Sequence, residues 1–106
     1  MKIKLEYGIK SGNINKDTGK EYTPQELTYD YVSYAVNKKY PEMEGQIRRI
    51  WGRIQNKFDK AIEANDEEIE LDETQSDFVK KCFREAKFNP SLAKYINVLE
   101  DEIDKL

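Results

Sequence analysis

Histidine is absent from this chain. That absence removes the commonest general acid/base and the commonest metal ligand. Cysteine occurs once, at Cys82, so no disulfide can form within the chain and a cysteine-based zinc site lacks its partners. Such usage suits a reducing, cytoplasmic setting. No apolar run approaches the roughly 18–20 residues needed to cross a membrane. The opening residues, MKIKLEYG, alternate charged and apolar side chains and do not read as a secretion signal. No cofactor and no metal is expected.

What is present is charge and aromatic surface. Charged residues make up 37% of the 106 residues, apolar residues 38% and aromatic residues 11%. A single domain over 1–106 is expected, burying roughly 60–70% of its unfolded surface around one core. The mixed signs and plentiful aromatics point to a folded chain rather than a disordered one. The net charge of −3 is unevenly spread: residues 1–62 hold 12 Lys/Arg against 8 Asp/Glu, whereas residues 63–106 hold 6 against 13.

Met1, Ile3, Leu5 and Tyr7 alternate with Lys2, Lys4 and Glu6, the period of a strand. Residues 8–22 read as a polar loop or loose hairpin, with three glycines between 8 and 19. Thr23-Pro24-Gln25-Glu26 is a helix start, combining a cap, a first-turn proline and a capping box. The helix that follows to about 38 carries apolar side chains around most of its circumference: Leu27, Tyr29, Tyr31, Val32, Tyr34, Ala35 and Val36. Pro41 is expected to begin a second helix, over 42–63, with Glu42 and Glu44 in its first turn favoured by the helix dipole. Its apolar stripe is Ile47, Ile50, Trp51, Ile54, Phe58, Ala61 and Ile62. Glu68–Asp72 reads as a second strand with Ile69 and Leu71 inward, and its Glu68 and Glu70 complement Lys2 and Lys4 across a short sheet. Asp72 and Gln75 form another capping box, opening a helix with Phe78, Val79, Cys82, Phe83 and Ala86 on one face. Asn89-Pro90 starts a last helix with the stripe Leu92, Ile96, Leu99 and Ile103, flanked by Tyr95 and Leu106. The expected fold is α+β, a two-stranded sheet with four helices in the order β-α-α-β-α-α.

Motifs for chemistry fail on inspection. The GNINKDTGK stretch is not a phosphate loop, because Ile14 stands where the first glycine is needed and Glu21 follows Lys20. It is not an EF-hand either, since Thr18 and Pro24 occupy the required glycine and glutamate positions. Cys82 lies on an apolar stripe, where cysteine packs as a small hydrophobe, and no histidine is present to activate it. No catalytic residue is assigned and an enzyme is not expected.

Candidate sites are therefore surfaces. One is acidic: Glu63, Asp66, Glu67, Glu68, Glu70 and Glu73, with Glu100, Asp101, Glu102 and Asp104 near the end. Tyr29 and Tyr40, on one side of the first helix, are candidate aromatic anchors, since tyrosine is enriched in protein interfaces. A basic face on the second helix, Arg48, Arg49, Arg53, Lys57 and Lys60, is the nucleic-acid alternative. Weighing against it are the sequence pI of about 5.1 and the placement of Trp51 on the core stripe, away from base stacking.

The phrases KIKLEY, EIELDE, FVKKCF and NPSLAKYINVLED, set in this order of elements, resemble small proteins of unknown function encoded by tailed bacteriophages and prophages. The resemblance implies a mobile-element protein of the host-cell cytoplasm and supplies no site residue. The expected function is a non-catalytic binding protein that covers a surface of another protein, as an inhibitor of a host defence or host enzyme or as an assembly accessory. The acidic second half would steer it to a basic partner, such as a nucleic-acid-binding protein. A small nucleic-acid-binding or regulatory protein and a virion structural component are the alternatives.

Overall fold

The structure is a computed structural model that describes residues 2–4, 14–15 and 19–105. These form β1 (Lys2–Lys4), β2 (Ile14–Asn15), β3 (Lys20–Glu21), α1 (Pro24–Lys39), α2 (Gly45–Ala64), β4 (Glu68–Glu70), α3 (Glu73–Glu85), a 3₁₀ turn (Pro90–Leu92) and α4 (Ala93–Asp104). The chain is mostly helical, and the strands make two short antiparallel ladders rather than an extended sheet. The α+β expectation holds only in that loose sense. The continuation of the first strand to Tyr7, most of the 8–22 stretch including Asn13 and Asp17, and Leu106 lie outside the described residues.

β1 pairs with β4, setting Lys2 opposite Glu70, Ile3 opposite Ile69 and Lys4 opposite Glu68. The lysines of one strand thus face the glutamates of the other, as the alternating charges anticipate. β2 pairs with β3, Ile14 opposite Glu21 and Asn15 opposite Lys20, so part of the 8–22 stretch takes the hairpin form expected as one of its two alternatives. Gly19, at φ 69°, supplies the left-handed residue just before β3, a conformation that costs glycine least.

Local chemistry starts two helices. The Glu26 N–H donates to Thr23 Oγ1 at 3.2 Å and the Thr23 N–H donates to Glu26 Oε1 at 3.1 Å. The same reciprocal pair joins Asp72 and Gln75, at 2.7 and 3.1 Å, at the head of α3. Each box satisfies two backbone or side-chain needs that a bare helix end leaves open.

α2 departs from expectation. Pro41 and Glu42 form a bend, and the helix begins at Gly45 behind an extended Glu44 that makes no side-chain cap. Glu42 and Glu44 are therefore not in its first turn. The cause is packing: Tyr40 and Met43 both lean on the core, which fixes the path of the connection before the helix can start. α2 ends at Asn65 in the left-handed region (φ 56°, ψ 40°), and the Asp66 N–H returns to the Ala61 carbonyl at 2.9 Å. Gln25 Nε2 donates to the Asp66 carbonyl at 2.7 Å, fastening this turn to the head of α1.

α1 lies chiefly against α3, and α2 and α4 close the core around them. Val36, Ile54 and Phe58 are wholly enclosed, with Leu71, Val79, Leu99 and Ile103 nearly so. Apolar burial of this kind stabilises by about 1.5–3 kcal/mol per large side chain, before the entropy cost of ordering the chain.

Candidate functional site

The aromatic side chains fall into two groups. One runs through the core. Tyr29 stacks on Phe58 with centroids 5.3 Å apart and tilts against Trp51 at 6.2 Å. Trp51 faces Phe78 at 6.4 Å, and Tyr40 stacks on Phe78 at 5.7 Å. The Tyr29 hydroxyl also accepts from Gln55 Nε2 at 3.0 Å. Tyr29 and Tyr40 are thus half-buried packing residues. Both rings are engaged with the core, with part of their surface still exposed. Helical spacing put both on the side of α1 that α2 and α3 cover.

The second group lies at the surface and sequence reasoning did not single it out. Phe88, in the connection after α3, packs against Phe83 at 5.2 Å, Tyr34 at 5.3 Å and Tyr31 at 6.4 Å. Tyr34 remains 41% exposed. Its hydroxyl donates to the Lys87 carbonyl at 3.2 Å, and Lys38 Nζ lies 5.4 Å from its ring centroid. These rings border a groove of about 260 Å³ lined by Asp30, Tyr31, Tyr34, Phe88, Asn89 and Leu92. Burial against the groove, with added repulsion from Glu26, raises the Asp30 carboxyl above the usual carboxylate range. The signal available in the sequence was the all-round apolar character of α1, which left some tyrosine outside.

The basic face of α2 is exposed at Arg48, Arg49, Arg53 and Lys60, and none of the four pairs with a described residue. Lys57 does not belong with them. Its ammonium donates to the Glu70 carbonyl at 2.7 Å and to Gln75 Oε1 at 2.6 Å, joining α2 to β4 and to the α3 capping box. Its long stem reaches around the helix edge, so helical angle alone misplaces it.

The acidic residues do not gather into one cluster. Glu63, Asp66, Glu67, Glu68, Glu70 and Glu73 are exposed along the path from the end of α2 to the head of α3. Glu100 and Asp101 sit on α4, where Glu102 lies 3.4 Å from Lys105 and Asp104 lies 3.5 Å from Arg84. Among the described residues, no group of three carboxylates or thiols is placed to hold a metal ion.

A small cleft lies beside Cys82. It is lined by Ala35, Lys38, Lys39, Cys82, Glu85 and Ala86, with an ion pair between Lys39 and Glu85. Burial pushes the Cys82 thiol up to about 11, leaving it protonated and a poor nucleophile at neutral pH. Among the described residues, no helix is long and apolar enough to cross a membrane. No family model, curated protein or solved structure matches this chain.

Proposed function

We propose that this chain is a non-catalytic binding protein that acts by covering a surface of another protein. Its contact face is the groove between α1 and the junction of α3 with α4. The observation that carries this reading is the apolar lining of that groove by Tyr31, Tyr34, Phe88 and Leu92 on a chain that is 37% charged. A concave apolar patch with one perturbed polar group is the usual form of a binding site. The carboxylate excess of residues 63–106 would steer the chain toward a basic partner. In a phage or prophage setting such a protein serves as an inhibitor of a host defence or host enzyme, or as an assembly accessory.

One observation favours a second reading. Arg48, Arg49, Arg53 and Lys60 form an exposed basic face that pairs with no described residue, the arrangement that meets phosphates. Two variants separate the readings. Affinity capture from host lysate with mass spectrometry is expected to retain a protein with wild type and Arg49→Ala/Arg53→Ala, and to lose it with Tyr34→Ala/Leu92→Ser. Retention on a DNA column at moderate salt, abolished by Arg49→Ala/Arg53→Ala, supports the second reading and counts against the first.

A further inference from the structure

We infer that the groove between α1 and the α3–α4 junction seats an arginine side chain of a protein partner, its guanidinium lying against Tyr34 and pairing with Asp30. The inference rests on the reading of this groove as the contact face and names the group it takes.

Three observations meet here. First, Asp30 is a carboxylate with no counter-ion among the described residues. It makes no hydrogen bond or ion pair with a described residue, and the charge acting on it most strongly is another carboxylate, Glu26. Both influences on its titration, lost hydration and like-charge repulsion, are relieved by a cation at the same spot. Second, the remaining walls are rings and an aliphatic chain. Tyr34 lies one helical turn beyond Asp30, at the i,i+4 spacing that places two side chains side by side. Its ring already carries a cation over it, the Lys38 ammonium at 5.4 Å, which shows the electrostatic character of that ring at work within the chain. Third, the volume of about 260 Å³ is below the usual range for a drug-sized ligand and suits one extended side chain.

Charge complementarity selects the occupant, and shape selects among cations. A guanidinium is flat, weakly hydrated and able to stack on a ring while donating two parallel hydrogen bonds to a carboxylate. An ammonium is a compact, strongly hydrated point charge, and the Lys38 ammonium over Tyr34 opposes any cation that does not reach Asp30. An uncharged apolar chain would leave Asp30 desolvated and unpaired.

The test is a titration of the full chain followed by NMR, with N-acetyl-arginine amide as probe at constant ionic strength. N-acetyl-citrulline amide, matched in shape but uncharged, and N-acetyl-lysine amide are the comparison probes. Saturable shifts of the Tyr31, Tyr34 and Phe88 resonances are expected with the arginine amide. Affinity should fall about three- to fivefold with citrulline and in Asp30→Asn, with lysine weaker than arginine. Asp30 is at the surface, so Asp30→Asn should keep the wild-type amide spectrum away from the groove. Absence of saturable shifts, equal binding of citrulline amide, or no effect of Asp30→Asn overturns the inference. If these fail while Tyr34→Ala/Leu92→Ser still loses the captured protein, the contact face stands and the arginine does not. If the double variant also retains the protein, the contact face falls too.

Discussion

Gly52 sits in the middle of α2, seven residues past its start and twelve before its end, in ordinary helical conformation. A methyl group built there meets no heavy atom within 4 Å beyond its chain neighbours and its own helix backbone. Nothing in the described packing therefore requires a glycine. In a helix interior glycine costs about 1 kcal/mol relative to alanine, through backbone entropy and exposed peptide groups. Gly52→Ala should accordingly raise stability by about 1 kcal/mol. For a chain of this length that is an increase of about 4–5 °C in Tm. In urea, with a slope near 2 kcal/mol per molar, the midpoint should rise by about 0.5 M at unchanged slope. Chemical denaturation followed by far-ultraviolet circular dichroism reads both numbers. An unchanged or lowered midpoint would refute the reasoning, because it would mean that the space beside Gly52 is filled. The same variant bears on function: Arg48, Arg49 and Arg53 flank Gly52, so weakened retention on a DNA column despite the gain in stability would identify the outer face of α2 as a contact face.

Phe58→Ala removes a fully enclosed ring and its stack on Tyr29, and should cost about 3–5 kcal/mol by urea denaturation, a large part of the roughly 5–15 kcal/mol a domain of this size holds. Asn65→Ala forces a β-carbon without a compensating polar side chain into the left-handed region and should destabilise by about 1 kcal/mol, read from the same midpoint shift. Cys82 should react with a coloured disulfide reagent at pH 8 only at the rate of global unfolding, and fast reaction of the folded protein would contradict its burial. The hydrogen bond from Lys39 holds the Glu85 carboxyl below its ordinary range, so the contribution of this contact is present at neutral pH and is lost as pH falls through the Glu85 value of the folded state. NMR titration of the Glu85 side chain should show that depressed midpoint in wild type and an ordinary one in Lys39→Met.

Much of the fold was legible where the deciding interactions are local. Thr23 with Glu26 and Asp72 with Gln75 are three residues apart, so their capping boxes depend on nothing distant. The pairing of β1 with β4 was legible for a different reason. Alternating lysines on one strand and glutamates on the other favour these two strands as neighbours, and the observed antiparallel register sets unlike charges opposite each other. The stripe of α2 was readable because apolar residues occupy one arc of the helix and charged residues the other.

The candidate site was less legible because α1 has no such division. Tyr29, Tyr31 and Tyr34 are chemically alike, and periodicity could not say which of them the neighbouring elements would cover. Packing sent Tyr29 against Phe58 and left Tyr34 beside Phe88, a residue 54 positions away in the chain. Lys57 shows the same limit, since its two acceptors belong to β4 and α3 rather than to its own helix.

By itself, the sequence determined the helix starts with capping boxes, the core stripes and the lack of a histidine- or disulfide-based chemistry, because each follows from composition or from the periodic spacing of residues along one element. Tertiary structure alone decided which tyrosines remain at the surface, where α2 begins and where Asp30 meets an aromatic groove. Those outcomes depend on which elements come to lie together, and that is set by the competition of the whole chain for one core.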